Sequence, residues 1–462
     1  MNEKKHVSLC HRGFSDSKSL ALYIHIPFCL QKCYYCDFYS QAVTDISGRG
    51  YNGKKNTEKS LDLAFLCRYL KALHQEIEKY GQLFTDLTVE SIYLGGGTPS
   101  LLNPEQLTFL LRKIADNFAR LHYEETAEAC SRNFDTSRTD HYPVSPQNDL
   151  KDHTTKKEYR LLAEDNIVEI TLEANPCTLN ENKIRAYKAV GINRLSVGIQ
   201  SFDDQELQVL GRLHDKKKAE KVVTVVDNYF DNYNLDLIFA LPYRERNSKG
   251  IIDSWEKTLD RALDFSPPHL SLYNLQLEPG TVLAKKVARG QLKCVKEEID
   301  ARMYQLACQK LRQSGYEHYE ISNFAHSGYQ SWHNKVYWQY RPYLGLGPSA
   351  HSFSGQDRFF NVGILEKYYE MIAEKGVFPV EKHIILDRQD LMSEMMIMGL
   401  RLRKGVSRRE FKRRFSVSMT DVYGSVIKDF CRQDLLEDDG QYVFLTDKGL
   451  LLGNKVFAGF LL

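Results

Sequence analysis

ALYIHIPFCLQKCYYCDFYS, residues 21–40, joins an apolar run to a loop that carries three cysteines. Residues 21–26 are rich in aliphatic and β-branched side chains, which predicts a strand. Just past its carboxyl end, Cys29, Cys33 and Cys36 stand as C-x3-C-x2-C. Three thiolates on one tight loop can hold three irons of a four-iron cluster. No fourth cysteine follows at close spacing, so the remaining iron is left for an outside ligand. An open metal position marks a site of chemistry or exchange, whereas a closed one is usually structural. Two other readings compete. Zinc takes four ligands in closed tetrahedral sites, and His25 is the nearest candidate for the fourth, although it belongs to the strand. A disulfide leaves one thiol over. Ten cysteines scattered over 462 residues, with no secretory signal, fit a reduced cytosolic protein.

Outward from this loop, strand-like and helix-like stretches alternate. Further strands are predicted at residues 90–94 (ESIYL), 168–173 (VEITLE), 194–199 (RLSVGI), 235–239 (LDLIF) and 269–275 (HLSLYNL). Helical periodicity fills the intervals near residues 61–80, 104–118, 181–190, 203–210, 216–228 and 253–263. This alternation predicts an α/β chain of βαβ units with a parallel sheet, and six units predict a partial (β/α)6 barrel. Ligands of such sheets bind at the carboxyl ends of the strands, where the cysteine loop lies. The expected organisation is a tail over residues 1–20, the barrel over 21–330, a connecting segment over 331–386 and a separate module over 387–462. Residues 41–59 and 121–165 are polar and read as surface insertions. The last module combines a methionine-rich helix at 391–402, a basic helix at 407–415, a third helix at 419–433 and a hairpin turning at Asp439-Gly440. That is the outline of a winged helix. Its arginines and lysines read as a solvated face, and its methionines as core filler.

Composition narrows the function. Hydrophobic residues make up 42% of the chain, enough for a substantial core, and the formal net charge is only +2. No global field favours nucleic acid or a membrane surface. No apolar run reaches the length of a membrane span, and the N-terminus lacks a secretory apolar segment, so the expected location is the cytoplasm.

Several polar motifs close the predicted strands. Gly95-Gly96-Gly97-Thr98-Pro99 follows the second; glycines let a backbone approach a ligand with its N–H groups exposed. Glu173 and Asn175 close the third, and Gln200 the fourth. Arg212 lies in LGRLH. Asp236 lies inside the fifth strand, where an unpaired carboxylate is costly unless bonded or bound. Taken singly each reads as a cap or a structural hydrogen bond. Together they offer acceptors for hydroxyl or ammonium groups and a cation for a carboxylate.

C-x3-C-x2-C, GGGTP, EANP, IQSF and GRLH, in this order, resemble the radical S-adenosylmethionine superfamily, in the branch related to oxygen-independent coproporphyrinogen dehydrogenase. The resemblance runs from about Ala21 to the C-terminus, apart from the two insertions. It implies a [4Fe–4S] cluster on Cys29, Cys33 and Cys36, with S-adenosylmethionine chelating the fourth iron and yielding a radical on reduction. It further implies that Tyr23, Gly96, Gly97, Thr98, Glu173, Gln200, Arg212 and Asp236 bind S-adenosylmethionine. The dehydrogenase branch carries a further cysteine two residues after the third ligand, where this chain has Phe38, and a longer N-terminal extension. The C-D-F ending is instead similar to a heme-chaperone family of the same branch. His333-Asn334-Lys335-Val336-Tyr337-Trp338 matches that family's H-N-x-x-Y-W motif, which implies heme binding through His333 and heme transfer to an acceptor protein. His351, in GLGPSAHSF, is a second candidate ligand with less support. Coproporphyrinogen dehydrogenation is the competing activity.

Overall fold

The computed structural model describes residues 14, 17–43, 63–118, 120–125, 158–163 and 166–462. Six parallel strands follow one another in space as in sequence: β1 (Ser19–Ile26), β2 (Thr88–Gly96), β3 (Glu169–Ala174), β4 (Arg194–Gln200), β5 (Tyr233–Phe239) and β6 (His269–Asn274). The edge of β6 is continued by the antiparallel β7 (Glu317–Glu320) and β8 (Asn323–Ala325). The free edge of β1 is covered by a seventh parallel strand, β9 (Tyr343–Leu346), with Tyr23 opposite Gly345. The antiparallel β10 (His351–Phe353), β11 (Asp357–Asn361) and β12 (Val380–Ile385) follow. Residues 331–386, expected as a connector, therefore build four strands of the main sheet. The short run YLGL is held by its pairing with β1, more than 300 residues away in sequence, and carries little strand signal of its own.

Each core strand has two different faces, because side chains alternate across a sheet. Leu22 and Ile24, Ile92 and Leu94, Ile170 and Leu172, Leu195 and Val197, and Leu235 and Leu237 pack into one apolar core with the surrounding helices. The alternate residues face the concave side and are polar: Ser196, Asn234, Asp236, His269 and Ser271 form one hydrogen-bonded group there, and Glu173 bonds Tyr93. The helices are locally specified as well. In Pro104–Asn117, Asn103 and Gln106 form a reciprocal capping box ahead of a proline in the first turn.

The C-terminal module has the expected outline. Helices Arg388–Gly399, Arg408–Phe415 and Met419–Arg432 pack with a three-stranded sheet of β13 (Val406–Ser407), β14 (Leu436–Asp438) and β15 (Tyr442–Leu445). Met392, Met395 and Met396 are buried in its core. Its cations are largely engaged within the chain. Arg408 pairs with Asp438, Arg413 with Glu410 and Arg403 with Asp447, while Arg401 stacks 4.4 Å from Trp338 and Arg414 4.6 Å from Tyr340. Of the insertions, residues 121–125 and 159–163 form an antiparallel pair, and most of the remainder lies outside the described residues. No described helix is long and apolar enough to cross a membrane.

Candidate cluster and cofactor site

The cysteine loop is closed at its base by a short parallel pairing, Phe28 with Gln41 and Cys29 with Ala42. On the other side the glycine turn is zipped to it. Gly97 N donates to Ile26 O at 2.8 Å, and Thr98 N to Phe28 O at 2.7 Å. A Cβ on Gly97 would lie 2.5 Å from Phe28 O, so this approach admits glycine alone. The consequence is chemical: Thr98 Oγ1 sits 3.4 Å from Cys29 Sγ. Arg212 approaches from just past the helix Asp204–Leu210, with Nη1 3.3 Å from Cys33 Sγ and Nη2 2.7 Å from Gly198 O. Gly198 leaves the room for it; a Cβ there would lie 3.4 Å from Arg212 Nη2 and 2.9 Å from Gln200 Nε2. Tyr34 anchors the loop's far side through Tyr34 N to Leu210 O at 3.0 Å and Leu283 N to Tyr34 O at 2.8 Å.

Cys29 is buried, Cys33 and Cys36 are half-buried, and none of the three is in a disulfide. Burial pushes the Cys36 thiol up to about 11 and also raises Cys29. Among the described residues, no three His, Cys, Asp or Glu side chains converge on a single-ion position. The donor set suits the implied cluster: three free thiols on one loop at the carboxyl end of a parallel sheet, with a hydroxyl and a guanidinium directed at two of the sulfurs. Those donors lower the energy of thiolate charge.

The cofactor candidates line the adjoining mouth. Glu173 Oε1 accepts from Tyr93 OH at 2.8 Å and Oε2 accepts from Gly96 N at 3.2 Å; burial raises its carboxyl to about 7. Asp236 accepts from Ser196 Oγ at 3.0 Å and Asn234 Nδ2 at 2.8 Å, and burial raises it too. Gln200 is held at φ 71°, a left-handed backbone, and its Oε1 has no hydrogen-bond partner. Tyr23 OH is bonded to His25 Nδ1 at 3.1 Å, and His25 Nε2 meets Tyr39 O at 2.8 Å. Asn175 caps the turn Pro176–Thr178 through Cys177 N at 3.1 Å, a structural role. Tyr93 carries no motif in the sequence, and its only signal is the polar alternation of its strand; His25 is read there only as a possible zinc ligand.

His333 sits at the other end of the barrel. The helix Trp332–Trp338 closes that end, its first N–H groups donating to Glu169 (Trp332 N 3.1 Å, His333 N 3.0 Å), and Trp332 Nε1 reaches Glu90 Oε2 at 3.1 Å. The His333 ring is 1% exposed. Its Nδ1 lies 2.9 Å from Ser91 Oγ and its Nε2 2.8 Å from Tyr337 OH, and Tyr93 stacks on it at 5.0 Å. Burial, then the charge of Arg194, lowers its pKa to about 3, so the ring is neutral. Both nitrogens are occupied by hydroxyls in this state, and the ring is not presented to a ligand. His351 is exposed on the first residue of β10, level with Tyr23, with its ring stacked on Phe360 at 4.9 Å.

Comparison with known proteins places this arrangement. Residues 23–253 match the model of the radical SAM superfamily, and residues 386–452 match that of the HemN C-terminal domain. The solved structure of the Escherichia coli coproporphyrinogen III oxidase HemN, a radical SAM enzyme, shares the fold: the TM-score is 0.73 at 22% identity, over 100% of this chain and 94% of that one. The chain belongs to the radical SAM superfamily. Its curated relatives are more specific. The heme chaperone HemW of Bacillus subtilis is 34% identical over 95% of this chain and 98% of its own length. That of Lactococcus lactis is 31% identical over 96% and 98%. The bovine mitochondrial radical S-adenosyl methionine domain-containing protein 1 is 30% identical over 96% and 88%. Within the superfamily, the chain belongs to the HemW family.

Proposed function

We propose that this chain is a heme chaperone that carries a [4Fe–4S] cluster on Cys29, Cys33 and Cys36 and S-adenosylmethionine at the open iron, and delivers heme to an acceptor protein. The observation that carries the cluster assignment is the pair of donors set against the thiols, Thr98 on Cys29 and Arg212 on Cys33. When bound, the cluster supplies one-electron chemistry to the cofactor it chelates. The protein's own part is positioning. Gly96, Gly97 and Thr98 form one wall, Glu173 and Asp236 offer acceptors for an ammonium group or hydroxyls, and Gln200 and Arg212 face the carboxylate end. Tyr23 stiffens the floor through His25. Glu173 must ionise to hold a cation, and a bound ammonium would draw its raised pKa back down.

Heme is the cargo in this reading, which rests on family membership and on the H-N-x-x-Y-W motif. Ligation by His333, which the motif implies, belongs to a state in which the helix Trp332–Trp338 has left the barrel end, because both ring nitrogens are engaged in the closed one. The competing activity is coproporphyrinogen dehydrogenation, favoured by the whole-chain likeness to the HemN fold. Phe38, at the position of that branch's extra cysteine, favours the chaperone. The decisive experiment incubates the reconstituted protein anaerobically with coproporphyrinogen, S-adenosylmethionine and a reductant, and in parallel with hemin. The chaperone reading expects a stoichiometric heme complex and no protoporphyrinogen. Turnover of the porphyrinogen would reverse it.

A further inference from the structure

Beside the cysteine loop lies a cleft that neither the cluster nor the cofactor site uses. It has a volume of about 640 Å³, within the usual range for small-molecule sites, and sits between the loop at residues 240–246 and the helices Asp204–Leu210, Ser248–Asp264 and Val282–Ala288. Its floor is apolar, with Leu241, Ile251, Trp255, Leu292 and Met303 all buried. Trp255 is fixed by its indole N–H to Met303 O at 3.0 Å and by Phe239 at 5.4 Å, so the floor is rigid and aromatic.

The rim is polar and carries cations. Arg246 is consumed by Glu206 at 2.8 Å and Asp203 at 3.3 Å, and Ser254 also donates to Glu206 at 2.7 Å. Glu245 is the other carboxylate on the rim. Arg244 and Lys286 remain. Among the described residues neither has a carboxylate within 4.0 Å, and the Lys286 ammonium rests 4.1 Å above the Tyr34 ring of the cysteine loop. Ile238 and Leu241 pack with Leu210, Tyr35 and Leu275, and this apolar wall separates the cleft from the barrel mouth.

We propose that this cleft is the heme seat of the closed protein, with the macrocycle on the Leu241–Trp255–Met303 floor and its carboxylates at Arg244 and Lys286. The proposal rests on the heme-chaperone reading and adds to it the place where heme is held. An apolar floor with two rim cations that have no carboxylate within 4.0 Å among the described residues matches a flat ligand that is apolar over most of its area and anionic along one edge. Among the described residues no imidazole lines the cleft. Tyr243 and Met303 are the lining side chains that bring a phenol and a thioether, both of which heme iron accepts. Heme would thus be held at the carboxyl end of the sheet, against the outer side of the cysteine loop, without His333.

The test uses the full-length, cluster-loaded protein, with hemin and hemin dimethyl ester as probes and Soret absorbance as the readout. Wild type is compared with Arg244→Glu/Lys286→Glu and Arg244→Lys/Lys286→Arg. Two part-exposed charge contacts correspond to about tenfold in affinity. The charge-reversed protein should therefore bind hemin at least about tenfold more weakly with unchanged iron and sulfide content, while the conservative pair stays within about threefold of wild type. The ester, which lacks the carboxylates, should not distinguish the variants. Equal hemin binding by the charge-reversed and wild-type proteins would overturn the cleft assignment and leave the chaperone reading standing. Failure of wild type to bind hemin at all would remove both. If the reversed variant does not fold, Arg244→Gln with the hemin-to-ester affinity ratio decides: a ratio equal to that of wild type refutes the assignment.

Discussion

Replacing His333 by alanine tests the reading of this residue as a buried pillar of the closed barrel. The ring fills space between Tyr93 and the helix Trp332–Trp338, and its two nitrogens engage Ser91 Oγ at 2.9 Å and Tyr337 OH at 2.8 Å. Its removal leaves two buried hydroxyls without that partner, at about 1–3 kcal/mol each when no other bond forms. A cavity under Tyr93 adds to this, although water entering from the barrel end offsets part of the sum. The net expectation is a loss of about 3–5 kcal/mol, a large share of a domain's stability. His333→Gln, which can keep one of the two bonds, should lose about half as much. The measurement is urea denaturation at pH 7.5 of the two variants and wild type, each with its iron content determined. The stability of the barrel end also depends on pH. The folded pKa is depressed to about 3 from an ordinary 6.5, so the neutral ring's contribution is full above about 6.5 and is lost as pH falls through that value toward 3. By pH 5 the wild type should have lost about 2 kcal/mol from this group that His333→Gln does not lose. If both variants stay within about 1 kcal/mol of wild type at pH 7.5, the ring is not holding the barrel end and the reasoning fails.

Three further outcomes follow from the same geometry. Gly97→Ala places a methyl 2.5 Å from Phe28 O; the protein should lose about 2–3 kcal/mol in a thermal melt and most of its cluster on reconstitution, whereas full iron content would contradict the zipped turn. Glu173→Gln should separate stability from binding. Its carboxyl is raised to about 7 by burial, so its contribution is full below about 4.5 and is lost as pH rises through 7. The glutamine variant should therefore be more stable than wild type at pH 8, by up to about 3 kcal/mol, yet bind S-adenosylmethionine at least tenfold more weakly in equilibrium dialysis. Arg401→Ala removes the guanidinium stacked 4.4 Å from Trp338; limited proteolysis should release the C-terminal module faster, and an unchanged rate would show that this contact does not hold it.

Much of this was legible in the sequence, for a physical reason. The six core strands carry aliphatic residues on every second position over five or more residues, and each is bounded by turn-forming residues, so the signal is local. The predicted spans, for example 194–199 against Arg194–Gln200, differ from the observed ones by a few residues at most. The glycine turn and the cysteine loop were equally plain, since their chemistry lies in short contiguous motifs. The seventh parallel strand was not. Its four residues include Gly345, whose Cβ would lie 2.2 Å from His351 O, and nothing nearby in sequence reports that β1 needs a partner. The same limit governs the polar concave face. Glu173 reads singly as a cap or a structural hydrogen bond and His333 as part of a motif, while Ser91 and Tyr93 carry no reading of their own. That Tyr93 bonds Glu173 and stacks on His333, joining the two ends of the barrel, is a property of strand register and of a helix 160 residues beyond β3.

The account stands on a cluster held by three thiolates with one iron open to S-adenosylmethionine. The most direct measurement is electron paramagnetic resonance of the anaerobically reconstituted, dithionite-reduced protein, with and without S-adenosylmethionine, alongside metal and sulfide analysis. The expected result is about four irons and four sulfides per chain, a reduced-cluster signal that shifts on addition of the cofactor, and loss of both in Cys33→Ser. Bound zinc in place of iron, or a cluster signal indifferent to the cofactor, would contradict it.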